Sequence, residues 1–200
     1  MSLRSLDLFA GVGGMTLAFR GWCTPQLYCD VCPRSRAVLR DAIAAGRLPD
    51  APVHGDIRGL AEVPPADIVL GGFPCQGFSL AGFRRGFEHA QSALFFECLR
   101  LLDASGASAV FFENVPQVWA KGREAIVREL AVDRGFELLF CVLPACNVGS
   151  PMQRSRWFCL GLKPDSPLRA QALDALAGGY RPHDWTREPP RTTPQPGANR

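Results

Sequence analysis

The sequence predicts an α/β fold, a doubly wound and mostly parallel sheet with helices on both faces, and three observations lead to it. Short apolar, β-branched runs alternate with longer amphipathic ones from Leu3 to about Leu162. A glycine-rich turn, Ala10 to Gly14, follows the first run and opens a helical pattern. Acids stand at the carboxyl ends of three runs, at Asp30, Asp56 and Glu113, and such sheets collect their ligands at that end.

In chain order, Leu3 to Phe9 is the first strand, and the turn leads into a helix carrying Met15, Leu17, Ala18 and Phe19. Glycines at Gly11 and Gly13 permit positive φ and close backbone approach, and the amides that open the helix favour an electronegative ligand group. Gln26 to Cys29 is the second strand and ends at Asp30, roughly twenty residues after the turn, where an acid commonly holds ribose hydroxyls. Asp30 fits equally well as the N-cap of the helix that Pro33 begins and that runs to Ala45. Past Pro49 and Pro52, Val53 to Ile57 forms a short strand ending in Asp56, a second cofactor candidate; His54 is an ordinary strand-end histidine.

Ala66 to Leu70 is a strand covered on both faces. It runs into Gly71-Gly72-Phe73-Pro74-Cys75-Gln76-Gly77-Phe78-Ser79, which puts one cysteine in a glycine-rich loop just past the strand, with Pro74 fixing φ ahead of it. A nucleophile belongs at such a position, although burial as a small hydrophobe is the commoner fate of a free cysteine. Ala93 to Leu102 has Leu94, Phe95, Cys98, Leu101 and Leu102 at helical spacing. Ala109 to Phe112 then delivers Glu113 on the side where the cysteine loop emerges; a surface ion pair is the plainer role for that carboxylate. Lys121 to Arg134 reads as a helix with Ile126, Val127 and Leu130 inward, Leu138 to Pro144 as a strand, and Trp157 to Leu162 as a last strand after Arg154 and Arg156. Seven prolines scattered between Pro164 and Pro196 leave room for one short helix, Leu168 to Ala177. The expected organisation is one folded domain over residues 1–163 and a Pro-rich, largely disordered tail over 164–200.

Two hundred residues with 47% hydrophobic content and 20% charge suit one domain with a sizeable core. No apolar run is long enough to span a bilayer, and Arg4 and Asp7 interrupt the start, so an intracellular protein with neither a membrane segment nor a secretory signal is expected. The eight cysteines are dispersed through strand-like and helical surroundings, as reduced thiols are. Cys29 and Cys32 have the spacing of a metal pair, but no second pair or histidine cluster completes a site, so no metal is expected. A net charge of +3, carried almost wholly by arginine, permits nucleic-acid binding without demanding it.

The run Pro74-Cys75-Gln76-Gly77-Phe78-Ser79, followed by Arg84-Arg85-Gly86-Phe87-Glu88, resembles motif IV of the cytosine-5 DNA methyltransferases. Asp7-Leu8-Phe9-Ala10-Gly11-Val12-Gly13-Gly14 is similar to the family's motif I, Glu113-Asn114-Val115 to motif VI, and Gln153-Arg154-Ser155-Arg156 to a variant of motif VIII. All four stand in family order between about residue 3 and residue 162. The resemblance implies the Rossmann-like fold of methyltransferases dependent on S-adenosyl-L-methionine, with the last strand inserted antiparallel. It also implies a DNA cytosine-5 methyltransferase catalytic domain, of the modification or epigenetic kind, over residues 1–163.

The resemblance implies the site residues as well. Cys75 would add as a thiolate to carbon 6 of cytosine. Glu113 would bond ring nitrogen 3 and the exocyclic amine, Arg156 would contact oxygen 2, and Arg154 would meet phosphate or the catalytic loop; otherwise the two arginines form an exposed basic edge. Asp30 would hold the cofactor ribose, Asp56 the adenine amine and Leu94 the adenine face, with Phe9, Gly11, Gly13, Ile57 and Pro74 completing the cofactor site. The target base must leave the duplex, and the loop from Ser79 to Glu88 is suited to closing over it with Ser79, Arg84 and Arg85 toward DNA; two solvated arginines on a surface loop is the plainer reading.

Two positions depart from the family. Val31 replaces the large aromatic that stacks on adenine, and Met152 stands where a glutamine is usual, with Gln153 beside it. The target recognition region and motifs IX and X have no counterpart after Leu162, so a second chain supplying recognition is an expected partner alongside DNA. Two alternatives accompany this reading: a transfer-RNA cytosine-5 methyltransferase of the same family, and a non-catalytic remnant that binds cofactor or a partner.

Overall fold

The computed structural model describes residues 2–74 and 94–177, which form a seven-stranded sheet in the order β3-β2-β1-β4-β5-β7-β6. Strands β1 (Leu3–Leu8), β2 (Cys23–Cys29), β3 (Val53–His54), β4 (Ile68–Gly71) and β5 (Ala109–Asn114) run parallel, and β7 (Ser155–Leu162) enters antiparallel between β5 and β6 (Glu137–Pro144). The order reverses between β1 and β4, which opens a crevice at their carboxyl ends. This is the expected doubly wound sheet with its antiparallel last strand.

Alternation along the strands sorts the core. Leu6, Leu8, Val69, Val110, Phe112, Trp157 and Cys159 point to one face, under α3 (Leu94–Ser105) and α4 (Pro116–Val127). Ile68, Leu70, Ala109 and Leu162 point to the other, under Met15 and Phe19 of the α1 region (Gly14–Ala18) and under Leu168 and Ala172 at α5 (Arg169–Ala177). Helix α2 (Pro33–Ala44) adds Leu39 and Ala42 against Tyr28 and Leu48. Burial of each such Leu or Phe contributes about 1.5–3 kcal/mol, against about 0–1 for an exposed ion pair, so the core rather than the surface charges holds this sheet. From Lys163 to Ala177 the described chain stays on that core: the Lys163 N–H donates to the Ser108 carbonyl at 2.8 Å, and Arg169 pairs with Glu137.

Several boundaries differ from expectation. β2 begins at Cys23 rather than Gln26; Pro25 is tolerated because β3 pairs only with Tyr28 and Cys29, leaving no partner for the missing amide. α3 continues to Ser105. The helix expected over Lys121 to Arg134 instead starts at Pro116, whose ring suits the first helical position, and after Val127 widens into a π turn over Arg128–Val132. Arg134 closes that turn by donating to the Glu129 carbonyl and carboxylate and to Asp103. Arg156 lies inside β7 rather than before it, and Glu113 lies inside β5, paired with Phe158.

Candidate functional site

The carboxyl end of β1 sets the geometry. Phe9 takes a left-handed conformation (φ 55°), rare for a side chain of its size and worth about 1–2 kcal/mol of strain. Gly11 and Gly13 follow with φ of 57° and 88°, backbone that strains any other residue, and a Cβ on Gly13 would also press within 2.5 Å of the Leu48 Cδ1 methyl. The Gly11 amide donates to Asp30 at 2.8 Å, and the other Asp30 oxygen accepts from the Cys32 amide at 2.8 Å. Asp30 therefore ties the β2 end to the glycine loop, while Cys32, not Asp30, occupies the N-cap of α2. Arg36 donates to the Asp30 and Val31 carbonyls and braces that bend.

Below the loop, Asp7 is fully buried in β1, with one oxygen accepting from the Thr16 hydroxyl and the other lacking any partner among the described residues. Burial pushes its carboxyl up to about 6, partly opposed by the Thr16 hydroxyl and amide, and the nearby Asp30 adds to the rise. A raised carboxyl is protonated more readily when folded, so its stabilising effect is complete below about pH 4 and is lost as pH climbs to about 6. The rise to about 6 amounts to about 3 kcal/mol at neutral pH. Asp7→Asn is expected to flatten the stability profile between pH 4 and 7, measured by urea unfolding at several pH values. An unaltered slope would mean that Asp7 does not titrate in that range.

Between the β1 loop, the ends of β2 and β3 and the start of α3 lies a cavity of about 380 Å³, within the range of small-ligand sites. Phe9, Asp30, Asp56, Ile57, Pro74 and Leu94, six of the residues expected around a cofactor, all line it. Cys29, Val31, Gly55 and Arg58 complete the wall, and Val31 is 64% exposed, which leaves that side open. Gly11 and Gly13 shape the loop without lining the cavity. β3 stops at His54, so Asp56 is not a strand end but caps a 3-10 turn, Ile57–Gly59, by accepting from the Arg58 amide. The Arg58 side chain holds the Asp56 carboxyl down to about 2. Apolar walls with two carboxylates suit a nucleoside: rings on the walls, hydroxyls and amines on the acids. Two larger hollows, around Trp22 and Asp67 and around Arg20 and Leu48, contain none of the candidate catalytic, cofactor or DNA-contacting residues.

At the ends of β5 and β7, Arg156 Nε meets Glu113 Oε1 at 2.7 Å, each side chain about a quarter exposed. Arg156 Nη1 also donates to the Ser155 carbonyl, so its guanidinium plane is set from both ends. Gly72 abuts Glu113, since a Cβ there would lie 3.4 Å from Glu113 Oε2. The buried Asn114 donates to the Phe73 carbonyl at 2.8 Å, pinning the chain two residues before Cys75. Arg154 is exposed. The structure brings Glu113 to Arg156, and six of the expected cofactor residues to one cavity; Cys75, Ser79, Arg84 and Arg85 lie outside the described residues. Arg58 and Thr16 escape sequence reasoning, and Asn114 and Asp7 are read in the sequence as members of motifs, without the contacts that they make here.

The family model described as C-5 cytosine-specific DNA methylase matches residues 3–195, beyond Leu162, where the motif resemblance ends. Type II methyltransferase M.CviJI of Paramecium bursaria Chlorella virus IL3A is 33% identical over 194 residues, covering 95% of this chain and 51% of that protein. Type II methyltransferase M.NgoBI of Neisseria gonorrhoeae is 34% identical over 171 residues, covering 82% of this chain and 52% of that protein. The chain thus spans about half the length of these relatives. Among solved structures, the Dnmt2 methyltransferase of S. pombe superposes with a TM-score of 0.62 at 22% identity, covering 80% of this chain and 51% of that one. The Entamoeba histolytica methyltransferase EhMeth does so with a TM-score of 0.65 at 12% identity, covering 81% and 53%. At such identities the likeness is one of fold.

Proposed function

This chain belongs to the C-5 cytosine-specific DNA methylase family, and from that membership we propose that it transfers a methyl group from S-adenosyl-L-methionine to carbon 5 of cytosine in DNA. The observation that carries the reading is the single cavity walled by Phe9, Asp30, Asp56, Ile57, Pro74 and Leu94 at the same end of the sheet as the Glu113–Arg156 pair. The cofactor, bound there, supplies the methyl group. Asp30 receives ribose hydroxyls, Asp56 the adenine amine, and the apolar wall excludes water around the ring.

Cys75 adds to carbon 6 of a base turned out of the duplex, and the electron pair of the 5,6 double bond moves toward carbon 5, which then takes the methyl group. Glu113, oriented by Arg156, bonds nitrogen 3 and the exocyclic amine and offsets the charge that develops in the ring. Arg156 keeps donors free for oxygen 2, and Arg154, exposed at the start of β7, meets phosphate with Ser79, Arg84 and Arg85. Loss of the carbon 5 proton and expulsion of Cys75 complete the exchange.

Recognition of a particular sequence, and completion of the cofactor site, come in this reading from polypeptide beyond these 200 residues, a second chain being the expected form. The half-length match supports it, as does the apolar outer strand β6, where Leu139, Phe140 and Leu143 are each at least 36% exposed. Alone, the chain is expected to bind DNA weakly, with little sequence preference and a steep loss of affinity as salt rises, because phosphate contacts dominate. Tritium transfer from labelled cofactor to DNA and to total RNA, with bisulfite sequencing of the DNA, tests the reading. Label at cytosine carbon 5 in DNA supports it; label in RNA alone favours the transfer-RNA alternative; tight, salt-tolerant methylation of one short site by the chain alone would refute the need for added recognition.

A further inference from the structure

The cavity wall takes in the chain just past β2 and just past β3, and β3 has little to hold it. It is two residues long, lies at the edge of the sheet and pairs only with Tyr28 and Cys29. Two hydrogen bonds tie its end to the end of β2: the Asp30 amide donates to the His54 carbonyl at 3.1 Å, and the Cys29 thiol, a weak donor, to the Gly55 carbonyl at 3.4 Å. An edge element with so few ties opens at low cost. Val31 is 64% exposed and gives the bend after β2 little packing of its own.

Arg36, half-buried in the first turn of α2, reaches both places at once. Its Nη1 donates to the Asp30 carbonyl at 2.9 Å and to the Val31 carbonyl at 2.7 Å. The same guanidinium lies against Gly55, where a Cβ would be 3.5 Å from Nη1 and 3.8 Å from Cζ. Asp30, Val31 and Gly55 line the cavity and Arg36 does not, so it grips the wall from behind. A charged donor makes stronger bonds than a neutral one, and a flat guanidinium packs closely on a glycine. The bend that it grips carries Asp30, whose two oxygens hold the Gly11 and Cys32 amides, so movement there reaches the glycine loop and the start of α2. Resting on the cofactor reading above, we propose that Arg36 is a positioning residue for the cofactor: it clasps the ends of β2 and β3 together and presets the wall that receives the nucleoside. It touches neither the cofactor nor the reacting atoms. Its effect falls on the nucleoside half of the cofactor, because the segments it joins carry Asp30 and Asp56.

The test is calorimetric titration of the 200-residue chain with S-adenosylhomocysteine and with adenosine, beside hydrogen exchange and thermal unfolding of the ligand-free protein. Arg36→Met keeps an apolar stem and removes the donors, and it is expected to weaken both ligands by the same factor, about tenfold or more. Arg36→Lys keeps a charged donor for the two carbonyls and is expected to recover binding to within about threefold of the unaltered chain. Exchange over residues 29–32 and 53–56 is expected to quicken about tenfold in Arg36→Met, while the thermal midpoint moves by no more than about 4 °C, because the clasp sits at the edge of the sheet. An affinity in Arg36→Met within about twofold of the unaltered chain would overturn the proposal, as would a loss confined to S-adenosylhomocysteine or a loss that Arg36→Lys shares in full. A fall in the midpoint well beyond about 4 °C would also overturn it, by making Arg36 a general support of the fold. Failure of the unaltered chain to bind either compound would take the cofactor reading down as well, whereas equal binding by the unaltered chain and Arg36→Met would sink the role of Arg36 alone.

Discussion

Cys75→Ala removes the denaturation-resistant adduct that the unaltered chain forms with DNA containing 5-fluorocytosine in the presence of S-adenosyl-L-methionine. The expected fall in the rate of adduct formation is at least about a thousandfold, because no neighbouring group replaces a lost nucleophile. Fluorine at carbon 5 cannot leave as a proton, so the thioether stays intact after methyl transfer and appears as a shifted band on a denaturing gel. The other seven cysteines are the control: Cys23, Cys29, Cys98 and Cys159 are buried, and burial pushes Cys98 and Cys159 well above the ordinary thiol range, which suppresses their thiolates. Cys32 is exposed with its thiol lowered by the Ser35 amide at the α2 start, so it is the competitor to watch. An adduct that survives Cys75→Ala and disappears on Cys32→Ala would move the role there; no adduct in the unaltered chain would favour the non-catalytic alternative.

Glu113→Gln slows the same adduct formation by about a hundredfold or more, the range for a positioned acid–base or charge-stabilising group. The amide keeps the shape of the side chain but gives Arg156 a neutral partner and presents a donor where nitrogen 3 or the amine of cytosine needs the carboxyl group. The pair is about a quarter exposed on each side, so its loss is expected to move the thermal midpoint by no more than about 4 °C. That contrast separates chemistry from folding. A rate within about threefold of the unaltered chain would leave Glu113 with only its ion pair to Arg156, the plainer role that its sequence position also allowed.

The features legible in the amino-acid sequence are those set within a few residues. Strand and helix periods mark nearly every element, and Gly13 and Pro33 mark helix starts through backbone restrictions that no partner is needed to impose. Asp30 and Glu113 stand out because each follows an apolar run, and in a parallel sheet such runs end on one side; Asp56 stands out only by its place after the short stretch from Val53. Motif resemblance, rather than periodicity, supplies the antiparallel β7 and the division of labour among those acids.

Only the tertiary structure decided how those acids are held. Asn114 reaches Phe73 across 41 residues, and Arg100 reaches Ile57 across 43. Such contacts depend on strand order and on the docking of α3, neither of which leaves a local pattern. Arg58 is close to Asp56 in sequence, yet its grip needs the 3-10 turn that replaces the expected strand. In the sequence Asp7 is a polar interruption at the start of the chain; burial under α1, which only packing produces, makes it a raised carboxyl beneath the glycine loop. Local sequence therefore determined which groups arrive at the carboxyl edge of the sheet. Side-chain packing between distant elements determined their direction and charge, because burial and hydrogen-bond geometry exist only once those elements meet.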